Sequence, residues 1–148
     1  MNTSAKSFAR EPRVLILTTD DCSYPAADML GQLHLAYPAT YYMLRTRCPV
    51  LFPEDFYLRC FARGADAILV ASSGTDCPYE GAYSRLAARV DRVYQRMKGE
   101  GLDPRRLRLT AICSVCTKAF LREIERMGET LAEIGPLPRG TAAQERGA

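Results

Sequence analysis

The sequence predicts an α/β protein: a single domain in which a four-stranded parallel sheet is flanked by helices. Four short apolar segments rich in β-branched residues alternate with four segments of helical periodicity, which gives the order βαβαβαβα. The chain has 148 residues, a length that suits one domain with one hydrophobic core. Because 47% of its residues are hydrophobic, it can bury such a core.

The first half of the chain predicts two strand–helix pairs. The run RVLILTT, residues 13–19, is continuously apolar, as is typical of a strand buried on both faces. In SYPAADMLGQLHLAY we expect a helix that Ser23 caps and Pro38 ends. TYYMLRTRC, residues 40–48, predicts the second strand. PEDFYLRCFARG, residues 53–64, predicts the second helix, with acids at its start and a glycine at its end.

The second half predicts two more pairs. ADAILVASS, residues 65–73, reads as a third buried strand. The clearest helix is YEGAYSRLAARVDRVYQRMKGEG, residues 79–101, whose apolar residues recur with helical period. LRLTAICS, residues 107–114, predicts the fourth strand, and residues 116–135 predict the last helix. Right-handed crossovers between parallel strands favour a flavodoxin-like or Rossmann-like winding, and the strand order stays open.

Composition and the terminal segments argue against a nucleic-acid-binding, membrane-inserted or secreted protein. We expect a polar, flexible lead-in over residues 1–12, a domain over 13–136 and a disordered polar tail over 137–148. A net charge of +3 gives no argument for nucleic-acid binding. No apolar stretch approaches the roughly 20 residues of a membrane helix. The N-terminus lacks the apolar core of a signal peptide. We therefore expect a cytoplasmic protein that does not insert into membranes.

Five of the six cysteines follow predicted strands. They are Cys22, Cys48, Cys77, Cys113 and Cys116. Because the carboxyl ends of parallel strands lie along one edge of a sheet, we expect these five to share the rim where ligands bind in such folds. Helix N-termini at that rim favour the thiolate form. Cys60 lies inside a predicted helix, and we expect it to be a small buried hydrophobe.

The residues alone leave three interpretations of these cysteines open. Four thiolates can hold an iron–sulfur cluster or a structural zinc ion. One Cys-x-x-Cys pair with three scattered cysteines is atypical of a zinc ribbon, although zinc remains an alternative. A dithiol oxidoreductase would use Cys113 and Cys116 alone and would leave the other three unexplained.

Other motifs are weaker. GADAILVASSGTD contains neither a dinucleotide fingerprint nor a P-loop lysine. Asp20 and Asp21 could form a carboxylate pair, but solvated loop residues are the more usual interpretation. Four arginines recur along the third helix as a basic stripe, namely Arg85, Arg89, Arg92 and Arg96. We interpret the stripe as a solvated helix face, the alternative being a docking surface for an acidic partner.

Several segments resemble one family of proteins. They are CSYPAADMLG, YPATYYMLRTRC, FARGADAILVASSGTDCPYEGAYSRLAARV and LDPRRLRL, and they resemble the delta subunit of methyl-viologen-reducing hydrogenase, a family of small hydrogenase iron–sulfur subunits. The resemblance runs from about residue 13 to Pro136 and is most specific over residues 64–83. It implies a [2Fe–2S] protein that relays electrons and catalyses nothing alone. Its implied partners are heterodisulfide reductase-type flavin and iron–sulfur subunits, and a hydrogenase or another donor, in anaerobic metabolism.

The chain departs from the family pattern at the rim. Thr19 stands where the family commonly has the first cysteine of a Cys-x-x-Cys pair, and serine stands at Ser72 and Ser73, near another family cysteine. Conversely, Cys113 and Cys116 stand where many relatives have a serine and an acid. This exchange suggests that the ligand set has been relocated along the same rim.

We therefore expect four of the five rim cysteines to bind a [2Fe–2S] cluster, with zinc as the alternative ion. Cys113 and Cys116 would supply two ligands and Cys22 a third. Cys48 or Cys77 would supply the fourth and leave one spare thiol.

Overall fold

Four strands alternate with four helices along the chain, as shown by a computed structural model that describes residues 7–139. The elements are β1 (Val14–Thr19), α1 (Ser23–Gln32), β2 (Tyr41–Thr46), α2 (Glu54–Ala62), β3 (Ala67–Ser72), α3 (Ala82–Gly99), β4 (Leu107–Ala111) and α4 (Thr117–Ile134). Single 3₁₀ turns lie at Pro49–Leu51, Gly74–Asp76 and Pro104–Arg106. The predicted α/β class is confirmed.

All four strands are parallel and lie in the order β2-β1-β3-β4. Of the two windings left open by the sequence, this is the flavodoxin-like order. The chain leaves β1 toward β2 on one side and later returns to β3 on the other. The point between β1 and β3 is therefore the topological switch point, where ligands bind in open α/β sheets.

Two hydrophobic layers cover the sheet. On one face, Val14 and Ile16 of β1 pack with α1 and α4, through side chains such as Leu30 and Phe120. On the other face, Leu17 of β1 and Ile68 and Val70 of β3 pack with α2 and α3. Every residue of β3 is buried, as predicted for a strand covered on both faces.

The end of α1 differs from the prediction. The helix ends at Gln32 rather than continuing to Pro38. His34 adopts a positive φ of 54°, and the Leu35 N–H reaches back to the Leu30 carbonyl at 2.9 Å. This left-handed turn closes the helix early and lets Leu35 pack against the core, a tertiary preference that outweighs the local helical pattern.

The amino-terminal edge of the sheet is tied together by one buried carboxylate. Asp66 precedes β3, and its side chain has no solvent exposure. Both terminal nitrogens of Arg10 donate to it, at 2.6 and 2.8 Å. The backbone N–H groups of Arg13 and Leu137 each donate at 2.7 Å. Burial alone would raise the pKa of Asp66, but these four hydrogen bonds and the Arg10 charge lower it.

This cluster reaches into the segments predicted as lead-in and tail. Arg10 falls in the predicted lead-in 1–12, and Leu137 falls in the predicted tail 137–148. Both positions are hydrogen-bonded to the sheet edge. Residues 1–6 and 140–148 lie outside the described residues.

Candidate functional site at the carboxyl rim

A cluster of buried hydroxyls occupies the switch point. Thr19 ends β1, Ser23 begins α1 and Ser73 follows β3, and all three are buried. The Thr19 hydroxyl lies 3.1 Å from that of Ser73 and 3.2 Å from that of Ser23. Polar groups buried this deeply are stable only when hydrogen-bonded, and here they satisfy one another.

Ser23 does not cap α1 as predicted. Its oxygen accepts from the Thr19 N–H at 2.7 Å, and its hydroxyl donates to the Ala71 carbonyl at 2.6 Å. The side chain thereby joins β1 to β3. Sequence reasoning singled out Thr19 and Ser73 only as missing cysteines, and missed that they form a hydrogen-bonded pair.

Cys48 and Cys77 line one small cavity beside these hydroxyls. The cavity has a volume of about 10 Å³, and its wall includes Thr19 and Ser73. That is room for about one water molecule. Burial raises the pKa of the Cys48 thiol, and the neighbouring Cys77 thiol raises it further, whereas the Val50 backbone opposes the shift.

An arginine of α3 holds the loop that carries Cys48. Arg89 donates to the carbonyls of Val50 and Phe52, the latter at 2.7 Å. Its neighbours on the basic stripe are also used within the chain. Arg92 pairs with Glu54, and Arg96 donates to Asp55 at 2.7 Å. These three arginines therefore dock α3 onto the start of α2.

A close approach of backbone to β4 positions Cys77. Gly74 has a φ of +59°, and a Cβ built on it would lie 2.8 Å from the Cβ of Ala111. Only glycine fits this position without displacement, because both the left-handed backbone and the neighbouring strand exclude a side chain. The Gly74 carbonyl then accepts the Cys77 N–H at 3.4 Å.

A disulfide joins Cys113 to Cys116 in the loop between β4 and α4. The Cys116 N–H donates to the Cys113 carbonyl at 3.1 Å, so the four residues form a tight turn. Cys116 is the N-cap of the 18-residue helix α4. Both cysteines are half-buried, while Ser114 and Val115 between them are exposed.

The two remaining cysteines lie apart from these pairs. Cys22 is half-buried at the N-cap of α1. Beside it, Asp20 accepts from the Nε of Arg45 at 2.6 Å in an exposed ion pair. Cys60 lies on α2 and packs against the core, but it is half-buried rather than fully buried as expected. Burial raises the pKa of its thiol, although Arg63 opposes the shift.

The structure brings the predicted ligands together in pairs rather than as one set of four. Cys48 lies with Cys77, and Cys113 is bonded to Cys116. Among residues 7–139, no group of three or more His, Cys, Asp or Glu side chains is arranged to hold a metal ion. This arrangement does not fit a four-thiolate centre of iron–sulfur or zinc type, since two sulfurs are bonded to each other and hydroxyls fill the switch point. The cluster assignment stays a prediction.

Large apolar side chains are exposed on the same loops. Leu51 follows Cys48 and is 70% exposed, Tyr79 follows Cys77 and is 49% exposed, and Val115 lies between Cys113 and Cys116 and is 85% exposed. Three of the rim loops thus carry both cysteine and an exposed hydrophobe. Exposed apolar side chains grouped at one edge are the kind of surface that partners cover, whereas scattered ones elsewhere are ordinary.

The fold and the rim together define a flavodoxin-like α/β domain with five cysteines at the carboxyl ends of its strands. Comparison with known protein families identifies the family of this domain. The model of the family described as methyl-viologen-reducing hydrogenase, delta subunit, matches residues 14–135. The chain belongs to this family, and the resemblance seen in the sequence is confirmed.

The chain is similar to curated proteins of two kinds, heterodisulfide reductase subunits and hydrogenase iron-sulfur subunits. The chain is 33% identical over 127 residues to a ferredoxin:CoB-CoM heterodisulfide reductase subunit of Methanosarcina mazei, a match that covers 85% of the chain but only 16% of that relative. It is 30% identical over 128 residues to an F420-non-reducing hydrogenase iron-sulfur subunit of Archaeoglobus profundus, covering 85% of the chain and 93% of the relative. The F420-non-reducing hydrogenase vhu iron-sulfur subunit of Methanococcus maripaludis is 27% identical over 129 residues, covering 86% and 96%.

One further property bears on the setting of the domain. In the part of the chain that the structure describes, no helix combines the length and the apolar character needed to cross a bilayer.

Proposed function

We propose that this chain is an electron-transfer subunit of an oxidoreductase complex of the hydrogenase or heterodisulfide reductase type, and that it docks to its partners through the carboxyl rim. The family assignment and the names of its relatives support the class of complex. The observation that carries the docking face is the pairing of cysteines with exposed apolar side chains on three rim loops.

The rim suits electron transfer because it places sulfur near the surface without exposing the core. Val115 extends into solvent beside the half-buried Cys113 and Cys116. A partner that covers Val115 would exclude water from the nearby sulfurs and bring its own redox group close to them. We infer that the partners are flavin or iron–sulfur subunits, in keeping with the complexes named for the relatives.

Copurification tests the docking face. An affinity-tagged chain is expressed in its source organism, purified anaerobically and analysed for associated subunits. Leu51→Asp and Val115→Asp are expected to lose the partner subunits, since each places a charge in the apolar contact. Leu33→Asp is the matched control, because Leu33 is 53% exposed but follows the end of α1, at the opposite edge of the sheet. Loss of partners in the control alone would contradict the proposal.

The [2Fe–2S] relay predicted from the sequence is a finer proposal with its own measurement. The anaerobically purified chain is analysed for iron, sulfide and zinc, and its visible spectrum is recorded before and after dithionite. About two iron and two sulfide per chain with a bleachable spectrum would support the relay. One zinc in a colourless protein would support the zinc-stabilised interaction domain instead. Finding neither metal after an attempt at reconstitution would favour the dithiol interpretation, which uses Cys113 and Cys116 alone.

A further inference from the structure

We propose that Cys113 and Cys116 form the redox-active group of this chain, a dithiol–disulfide couple that exchanges an electron pair with a protein dithiol on a partner. The inference deepens the proposed function and rests on it for the docking face. It starts from the disagreement between the predicted four-thiolate centre and the pairs that the structure contains.

The disulfide lies in a turn whose tip is exposed, with both cysteines half-buried. Ser114 and Val115 form the tip of the turn, and both side chains are exposed. At 85% exposure, Val115 is the most exposed large apolar side chain of the described residues, so the tip of the turn is open to solvent. Exposed disulfides are the ones that undergo exchange, whereas structural disulfides are typically buried and resistant to reduction.

The turn is mounted on rigid elements that do not depend on the bond. On one side, the Ile112 N–H donates to the Ser72 carbonyl at 2.9 Å and extends the pairing of β4 with β3. On the other side, Cys116 packs against the core, and its carbonyl accepts the Phe120 N–H at 2.9 Å in the first turn of α4. Breaking the bond would therefore leave both sulfurs close together and ready to re-form it.

The exchange step is balanced without any group outside the two dithiols. A thiolate of the partner attacks Sγ of Cys113, the bond between the two sulfurs breaks, and Cys116 leaves as a thiolate at the N-terminus of α4, where the helix dipole favours negative charge. The second thiol of the partner then attacks the mixed disulfide and releases Cys113. The partner is oxidised to a disulfide, and this chain gains two electrons and two protons.

The other cysteines do not compete for this role. Cys48 is buried in a cavity of about 10 Å³ with Cys77, so an external thiolate cannot reach its sulfur without opening the rim. Cys60 lies on α2, away from the rim, and packs against the core. The half-buried pair beneath the exposed turn is thus the one we assign to exchange with a protein dithiol.

Thiol counting in redox buffers tests the couple. The purified full-length chain is equilibrated anaerobically with mixtures of oxidised and reduced dithiothreitol, alkylated, and weighed by mass spectrometry. The number of alkylated cysteines is expected to rise by two, reversibly, with peptide mapping assigning both to Cys113 and Cys116. The variants Cys113→Ser and Cys116→Ser should each abolish this change, whereas Cys60→Ser should keep it. Far-ultraviolet circular dichroism checks that every variant is folded.

Two results would overturn the inference. One is an unchanged thiol count across the whole buffer range. The other is a reversible bond that peptide mapping assigns to a different pair, such as Cys48 with Cys77. Either result in a chain that still copurifies with its partners would reject the couple and keep the proposed function. A reversible couple in a chain that binds no partner would reject the docking face instead.

Discussion

The amino-terminal and carboxyl edges of the sheet differ in the burial of their side chains and in the contacts that these side chains make. At the amino-terminal edge, Asp66 is fully buried and receives four hydrogen bonds from Arg10, Arg13 and Leu137. At the carboxyl rim, four of the five cysteines are half-buried, the loops after β2 and β3 contain single 3₁₀ turns, and Val115 and other apolar side chains face solvent. One edge pairs its buried carboxylate within the chain. The other leaves apolar side chains that a partner can cover.

The comparison indicates that stability depends on the amino-terminal edge, whereas the proposed binding surface lies at the carboxyl rim. Arg106 extends the amino-terminal edge cluster by donating to the Asp66 and Gly135 carbonyls at 3.1 and 2.9 Å, although burial lowers its pKa. Such a network is costly to break because it would leave buried charge without a partner. The ion pairs near the rim, those of Asp20 with Arg45 and of the first turn of α2 with α3, are exposed, and changes at the rim should alter binding more than folding.

The largest effect is expected at the amino-terminal edge. Asp66→Ala removes the acceptor of four hydrogen bonds and leaves Arg10 unpaired, so we expect a loss of about 3–5 kcal/mol in the free energy of unfolding. Urea titration measures it. The control is Asp20→Ala, which breaks the exposed pair with Arg45 and should cost at most about 1 kcal/mol. Equal losses in the free energy of unfolding of the two variants would show that the two edges do not differ in their contribution to stability.

A smaller effect is expected where the rim touches β4. Gly74→Ala imposes a left-handed alanine against Ala111 and should cost about 2 kcal/mol or more. Gly99→Ala is the matched control, because nothing lies within 4 Å of that position, and it should gain up to about 1 kcal/mol. Partial rescue of Gly74→Ala by Ala111→Gly, measured by thermal unfolding, would identify the clash as the cause.

Acid should weaken the amino-terminal edge before the rim. Because the pKa of Asp66 is lower in the folded chain than its unfolded value of about 4, its contribution is complete above pH 4 and is lost as the pH falls through the lowered value. The free energy of unfolding should therefore decline below about pH 4 in the wild type. A flatter decline is expected for Asp66→Asn, and an identical slope would show that other carboxylates dominate.

The smallest effect on stability is expected at the tip of the rim. Val115→Ala should change the free energy of unfolding by less than about 0.5 kcal/mol, since Val115 is 85% exposed. Three residues earlier, Ile112→Val should cost about 0.5–1.5 kcal/mol because Ile112 is buried. Chemical denaturation of both variants compares them directly, and a large cost at Val115 would mean that the tip is part of the core.

The order of elements was predictable because it depends on local pattern. The apolar run of β1 and the helical period of α3 each identify their element without reference to the rest of the chain. The end of α1 was not predictable, because a left-handed His34 and the packing of Leu35 decide it. Strand order depends on crossovers between distant segments, and local pattern carries no signal for it.

The rim location of the cysteines was also predictable, since it follows from parallel strands. Which side chains lie next to one another at the rim was not predictable. Thr19 and Ser73 are 54 residues apart, and only the pairing of β1 with β3 brings their hydroxyls to 3.1 Å. The grouping of Cys48 with Cys77 depends likewise on loop geometry set by Arg89 and Gly74. The sequence pattern predicts which residues lie at an edge of the sheet, but it does not predict which of these residues contact one another.

The position of Arg10 and Leu137 has a consequence for how this domain can be assembled into larger proteins. Both bind Asp66, so the chain enters and leaves the described domain at the amino-terminal edge, on the side away from the cysteines. A polypeptide joined at either point begins at the edge opposite the rim cysteines. The domain can therefore be fused to further chain at both ends with the rim left uncovered by the junctions, and it matches 16% of one longer relative.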